Sequence, residues 1–247
     1  MKDNIIIVDA SHLMHRLYHT NSHDLQRAVN LYLFRIKNFM QFHKPIEVHI
    51  CFDEGGSDYR RELYPTYKNN RPPLPDDMRK LKTMLIKTSL SITSNVYMKR
   101  GIEADDIIAS ITEFYRFTHS VLILTCDKDI HQLLAGNVKI IHPFKLIETT
   151  MNNLKHQTGI DPEHVVDYLS LVGDNADCIK GIDGIGKATA IRLLGQYDSI
   201  ADMLVMEESN ELVIEKIKAH KDQLLLNIKL VRLLRDLPFQ DYLIQNI

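Results

Sequence analysis

Three short runs along the chain, NIIIVD at residues 4–9, EVHICFD at 47–53 and SVLILTCD at 120–127, are largely apolar, partly β-branched, and each ends on an aspartate. Apolar runs of this length without alternation describe strands buried on both faces, as in a parallel sheet. Between the first two lies SHDLQRAVNLYLFRIKNFMQFH, residues 22–43, with apolar positions at helical spacing behind the cap-competent Ser22 and Asp24. It reads as the first crossover helix. Val138 to His142 offers a further strand. From about residue 150 the strand pattern gives way to helices. DPEHVVDYLSLVGD starts with Asp161 as N-cap and Pro162 at the first helical position, closes at Gly173 and opens into DNAD. GIDGIGKATAIRLLGQY follows as a glycine-punctuated turn entering a short helix, and amphipathic helices continue to Leu237, where Pro238 stops them. The expectation is an α/β protein with a mostly parallel sheet flanked by helices over residues 1–155, and a helical region over 156–247 with its glycine hairpin at 181–190.

In an open α/β sheet, ligands gather beyond the carboxyl ends of the strands, where Asp9, Asp53 and Asp127 fall. GIEADD, residues 101–106, adds Glu103, Asp105 and Asp106; Asp129 follows Asp127, and Asp174 and Asp177 stand three apart in the helical region. Two unit charges about 4 Å apart repel by roughly 4 kcal/mol at an effective dielectric near 20. If these carboxylates converge, cations must accompany them. Hard ions such as Mg2+ or Mn2+ take oxygen ligands and relieve that repulsion, and two of them about 4 Å apart suit phosphodiester hydrolysis. His12, His15, His19 and His23 recur at helical spacing, but with neither HExxH nor a cysteine partner they read as a solvated or partly packed face, and no zinc is expected.

The net charge of −2 hides a segregation: residues 58–100 carry ten Lys or Arg against four Asp or Glu. Within this segment, YRRELYPTYKNNRPPLPDDMRK offers Arg60, Arg61, Lys68, Arg71, Arg79 and Lys80 interleaved with Tyr59, Tyr64 and Tyr67. Basic groups bind phosphates, and aromatics stack on unpaired bases. In GIDGIGKATA, Gly181, Gly184 and Gly186 permit a tight turn that presents N–H groups at a helix start beside Lys187. That arrangement tracks a phosphate backbone without reading sequence. The 45% hydrophobic content is ordinary for a globular chain, with no apolar run of about 18 residues to span a bilayer and no signal-peptide core at the start. A cytoplasmic, membrane-free protein is expected. Cys51, Cys126 and Cys178 are too few and too scattered for a disulfide framework.

The motifs IVDASHLMHRLYH, FDEGGSDYRRELYPTYKNNRPPLPDDMR, GIEADDIIAS, TCDKDIHQLL and VGDNADCIKGIDGIGKATAIRLL occur in the order found in the 5′-nuclease family, which the chain resembles over roughly residues 5–200. That family includes the 5′-nuclease domain of bacterial DNA polymerase I, flap endonucleases and exonuclease IX. The resemblance implies a Rossmann-like (PIN-like) core and a helix-three-turn-helix DNA-binding region. It implies two Mg2+ or Mn2+ ions and structure-dependent cleavage of flapped, branched or 5′-ended DNA; separately, a monomer is expected. Asp9, Asp53, Glu103, Asp105 and Asp106 match the carboxylates of a first metal site; Asp127, Asp129, Asp174 and Asp177 match those of a second, with Asp127 and Asp129 near both. Lys68 matches a lysine that stabilises charge on the scissile phosphate and Arg71 a phosphate contact beside it. Arg16 matches a basic residue after the first motif. K+ is implied at backbone carbonyls of Gly181, Ile182, Gly184, Ile185 and Gly186. Arg60, Tyr67, Lys68, Arg71, Gly184, Gly186 and Lys187 complete the expected DNA contacts. Polymerase-type members read Asp-Asn-Ile-Pro where this chain has Asp177-Cys178-Ile179-Lys180, and 29 residues separate Arg71 from Gly101, room for only a short arch. Two rivals are a non-catalytic DNA-structure-binding module, which loss of carboxylates would favour, and a PIN-type ribonuclease, which absence of the glycine hairpin would favour.

Overall fold

The computed structural model describes residues 2–21, 23–206 and 211–244; Ser22 lies outside them. In chain order the first elements are β1 (Asn4–Asp9), α1 (Ala10–Asn21), α2 (Leu25–His43), β2 (Glu47–Glu54), α3 (Asp58–Leu63), α4 (Asp76–Leu90) and β3 (Val96–Arg100). They are followed by α5 (Ala104–Tyr115), β4 (Ser120–Leu124), a 3₁₀ turn at Asp129–Leu133, β5 (Val138–Ile141) and β6 (Glu148–Thr149). Helices α6 (Leu154–Thr158) and α7 (Val165–Val172) precede a two-strand ladder of β7 (Gly173–Asp174) and β8 (Ile179–Lys180). The chain continues through α8 (Lys187–Leu194), α9 (Ile200–Val205), α10 (Leu212–Ala219) and α11 (Lys221–Val231). No helix among the described residues is long and apolar enough to cross a membrane.

The contacts divide into two compact units, and neither is continuous. The sheet unit comprises Met1–Ser57, Pro72–Thr150 and Leu233–Ile247; the helical unit comprises Asp58–Arg71 and Met151–Arg232. The expected boundary near residue 155 therefore misses two excursions. Residues 58–71 group with the helices rather than the sheet, and the described residues from Leu233 on group with the sheet.

Within the sheet unit the strand order is β3-β2-β1-β4-β5-β6, parallel except for the antiparallel edge pair β5–β6. The three apolar runs form β2, β1 and β4, with Ile5, Ile6, Ile7 and Val8 all fully buried. Alternate side chains leave opposite faces of a strand. Ile6 and Val8 join a core with α1, α2 and α4, while α5 packs on β1 and β2. The crossover from β1 to β2 is two helices, with Asp24 capping α2 by accepting from the Arg27 N–H at 2.8 Å. Strand β3 was not legible in the pattern, because its outer residues Lys99 and Arg100 break a run of only five. Strand β1 pairs with β2 on one side and β4 on the other, so the order reverses there, the position at which α/β sheets place ligands.

In the helical unit, Leu171, Ile182, Ile185, Ala190, Leu193, Ile214 and Leu224 belong to a separate apolar core. The glycine turn brackets it with Ile182 and Ile185, which explains why the turn is fixed rather than loose: its isoleucines point inward while its glycines make the bends.

Candidate metal centre and nucleic-acid interface

At the carboxyl edge of the sheet, each strand end delivers one of the expected aspartates. Asp9 closes β1 and is 3% exposed; its Oδ1 accepts the His12 N–H at 2.9 Å and its Oδ2 the Thr125 hydroxyl at 2.7 Å. Burial outweighs these donors and pushes its pKa up to about 6, with neighbouring Asp127 adding to the rise. On β2, Asp53 is fixed from three directions. Its N–H donates to Ser11 Oγ at 2.8 Å, its C=O accepts from Lys82 Nζ at 2.5 Å, and its Oδ1 accepts the Ala104 N–H at 2.7 Å. That last donor is the first residue of α5, so the carboxylate sits at a helix amino end, where the dipole favours negative charge.

Asp127 follows β4 by three residues. Its N–H donates to Thr125 Oγ at 3.1 Å and its Oδ1 accepts the Asp129 N–H at 2.9 Å, which sets Asp129 at the head of the 3₁₀ turn. Asp127 Oδ2 also lies 3.7 Å from His12 Nδ1. The Asp127 carboxylate, with Cys126 beside it, pushes the His12 pKa up to about 11 against the opposing effect of burial. His12 is the partly packed member of the four histidines, while His15, His19 and His23 are exposed. Glu103 is the buried N-cap of α5, Asp105 is half-buried in its first turn, and Asp106 is 1% exposed with Oδ1 accepting the Leu234 N–H at 2.9 Å.

Seven of the nine carboxylates therefore belong to the sheet unit, on β1, β2, α5 and the segment after β4. Among the described residues no three His, Cys, Asp or Glu side chains close to metal-ligand spacing. Each carboxylate oxygen described above instead takes a nearby N–H or O–H donor. The donor set still fits a hard divalent ion. It is all carboxylate, and the buried Asp9 has a raised pKa, so a cation beside it would restore its charged form. Lys82 was not foreseen. Its signal was a lysine between Leu81 and Leu85 on a helix whose buried face, Met78, Leu81, Leu85, Ile86 and Ser89, carries no other charge. Burial lowers its pKa, while Glu54 and Asp53 oppose that change.

In the helical unit, Asp174 caps the turn at Asn175–Asp177, accepting the Ala176 N–H at 2.8 Å. Asp177 is buried and gathers the expected basic residues: Lys68 Nζ at 3.4 Å, Arg71 Nη2 at 2.5 Å and the Tyr67 hydroxyl at 3.3 Å. Lys68 has φ +54 and its N–H donates to the Asp177 C=O at 3.1 Å, a left-handed conformation that costs about 1 kcal/mol and is held by these contacts.

Two expected DNA contacts are corrected here. Arg60 is 2% exposed, and donates from Nε to the Leu230 C=O at 2.7 Å and from Nη2 to the Arg232 C=O at 3.1 Å. It caps the carboxyl end of α11, whose last carbonyls have no partner within the helix. Tyr67 is 4% exposed, so its ring has no face on which a base could stack. Arg16, Arg71, Gly184, Gly186 and Lys187 are exposed. Gly184 has φ +80, and Gly181 lies so close to Val172 that an added Cβ would meet the Val172 carbonyl oxygen at 2.1 Å. Sheet glycines aside, the hairpin needs glycine at these two positions; at Gly186 an added Cβ would meet nothing within 4 Å.

Comparison with known proteins adds a family. Residues 4–169 match the 5′-3′ exonuclease N-terminal resolvase-like domain, and residues 160–245 the 5′-3′ exonuclease C-terminal SAM fold. A 5′-3′ exonuclease of Mycoplasmopsis pulmonis is 29% identical over 96% of this chain and 83% of its own length. The thermostable DNA polymerase I of Thermus thermophilus is 32% identical over 97% of this chain, which spans only 30% of that polymerase. Among solved structures, T5 5′-exonuclease with bound divalent metal ions (zinc) superposes with a TM-score of 0.82 at 22% identity, over 94% of this chain and 90% of that one.

Proposed function

The chain belongs to the 5′-3′ exonuclease family, and on that footing we propose that it cuts 5′ flaps and 5′ ends of branched DNA, using two Mg2+ or Mn2+ ions at the carboxyl edge of its sheet. It is a nuclease of that family, and its dependence on divalent metal is part of the proposal. The observation that carries the finer reading is the succession of Asp53, Asp9 and Asp127 at the ends of adjacent strands, with the amino end of α5 turned onto Asp53. Divalent ions bound there would supply an activated water and stabilise the leaving oxygen.

Asp9, Asp53, Glu103, Asp105, Asp127 and Asp129 are the proposed ion-holding groups of the sheet unit, and Asp174 and Asp177 are proposed as further metal carboxylates. Ser11, Thr125 and Lys82 hold Asp9 and Asp53 in place by the hydrogen bonds described above. Such outer partners fix the geometry on which ion affinity depends. Lys68 is proposed to stabilise charge on the scissile phosphate and Arg71 to grip the phosphate beside it, Asp177 keeping both side chains oriented. The glycine turn with Lys187, and Arg16, would contact phosphates without reading bases. K+ is proposed at the carbonyls of Gly181, Ile182, Gly184, Ile185 and Gly186.

The test is incubation with a 5′-flap DNA and the matching RNA, each labelled at the 5′ end, with Mg2+ or with EDTA, and sizing of the products. Metal-dependent cutting of the DNA near the junction is expected. Binding without cutting under Mg2+ and Mn2+ would return the chain to a non-catalytic module, and preferential cutting of the RNA would favour a ribonuclease.

A further inference from the structure

The segment after α11, Leu233–Leu237, carries none of the nine carboxylates and has no regular structure. Its main chain is nevertheless bonded to α5, which carries Asp105 and Asp106 behind its N-cap Glu103, and to the turn headed by Asp129. The Leu233 N–H donates to Gln132 Oε1 at 3.0 Å, and the Leu234 N–H to Asp106 Oδ1 at 2.9 Å. Ser110 Oγ accepts the Leu237 N–H at 3.2 Å, while its single proton lies between the Asp106 C=O at 2.8 Å and the Leu234 C=O at 3.2 Å. Arg235 Nη2 donates to the Gln132 C=O at 2.7 Å. Asp106, Ser110 and Gln132 are all buried, where a polar group left unmatched is expensive.

The placement of these three partners is informative. Asp106 adjoins Asp105 and lies three residues from Glu103, with Ser110 one turn further along α5. Gln132 lies in the 3₁₀ turn headed by Asp129, and its Nε2 donates to the Asp129 C=O at 3.0 Å. One irregular segment thus ties the first turns of α5 to the turn after β4.

We propose that Leu233–Leu237 is a strap that sets the spacing of Glu103 and Asp105 relative to Asp127 and Asp129, with Asp106, Ser110 and Gln132 as positioning residues and Asp106 its anchor rather than an ion ligand. The inference rests on the reading that those four carboxylates hold the divalent ions. Like Asp9, Asp53 and Asp127, Asp106 accepts a main-chain N–H, but its donor, Leu234, belongs to the strap rather than to the sheet edge or the turn beside it.

The test uses the full chain and three variants, Gln132→Met, Ser110→Ala and Asp106→Asn. Amide hydrogen exchange at Leu233, Leu234 and Leu237 reports the strap, and Mn2+ titration followed by electron paramagnetic resonance reports the ions. Gln132→Met keeps the side-chain volume but removes the acceptor for Leu233 and the donor to Asp129. The expected result is at least tenfold faster exchange in the strap together with about tenfold weaker Mn2+ binding, the scale on which outer-shell partners act. Ser110→Ala repeats the test from the α5 side if Gln132→Met does not fold. Asp106→Asn retains an oxygen acceptor, so strap protection and Mn2+ affinity should both stay within about threefold of the parent.

Faster strap exchange with unchanged Mn2+ affinity in Gln132→Met and Ser110→Ala overturns the positioning role. Loss of Mn2+ binding in Asp106→Asn with strap amides still protected overturns the assignment of Asp106 and makes it a ligand. A parent chain that binds no Mn2+ overturns the metal reading itself, and the strap proposal with it.

Discussion

Arg60 offers a sharp discrimination between a DNA contact and a structural one. In Arg60→Met the aliphatic volume is largely kept, while the bonds to the Leu230 and Arg232 carbonyls, at 2.7 and 3.1 Å, are lost. A hydrogen bond from a charged donor is worth about 1.5–3 kcal/mol, and two acceptors at the end of α11 would be left in a region that is 2% exposed at the arginine. Relief of the desolvation of a buried guanidinium offsets part of this. The net loss should be about 3 kcal/mol. For a chain of 247 residues that corresponds to a fall in Tm of roughly 6–12 °C. Urea and thermal unfolding followed by circular dichroism measure it. In parallel, the slope of log K against log salt for DNA binding should match the parent, because each phosphate contact contributes about 0.9 to that slope. A variant of parental stability whose salt slope had dropped by about 0.9 would refute the capping role and return Arg60 to the DNA interface.

Asp9→Asn should raise the Tm measured in EDTA at pH 8 while abolishing hydrolysis. An acid whose folded pKa is raised from 3.8 to about 6 favours the fold below about 3.8 and loses that benefit as pH rises through 6, so removing its charge restores on the order of 2–3 kcal/mol above that window and nothing at pH 3. Lys68→Ala should lower the single-turnover cleavage rate by more than it weakens flap binding; equal losses would reduce Lys68 to a phosphate grip. Gly181→Ala forces a Cβ to 2.1 Å from the Val172 oxygen and should unfold or lose more than about 3 kcal/mol, whereas Gly186→Ala, at φ −89 and open, should stay within about 0.5 kcal/mol in the same denaturation assay. Cys178→Asn should gain about 0.5–1 kcal/mol, since Cys178 sits at φ +60 and asparagine tolerates that region better.

What the sequence made legible follows from the range of the interactions that fix it. Strands β1, β2 and β4 announce themselves because burial on both faces demands a continuous apolar run, and Asp9, Asp53 and Asp127 are legible because each run ends on its acid. The acid-rich start of α5 was equally plain. The segment 58–71 was not, because its composition has two physical readings. An arginine beside tyrosines looks the same whether it grips a phosphate or caps a helix 170 residues further on, as Arg60 does through Leu230. Tyr67 was obscured in the same way by a partner, Asp177, that is 110 residues distant. Asp106 shows the limit within a motif that was otherwise legible: next to Asp105 in GIEADD, it differs only in which side of the first helical turn it occupies. That side meets a main-chain N–H from Leu234, 128 residues later. Charge and spacing show where carboxylates crowd; that Asp106 meets the Leu234 N–H depends on a segment returning from beyond α11, and no local pattern in LLRDL encodes that it returns.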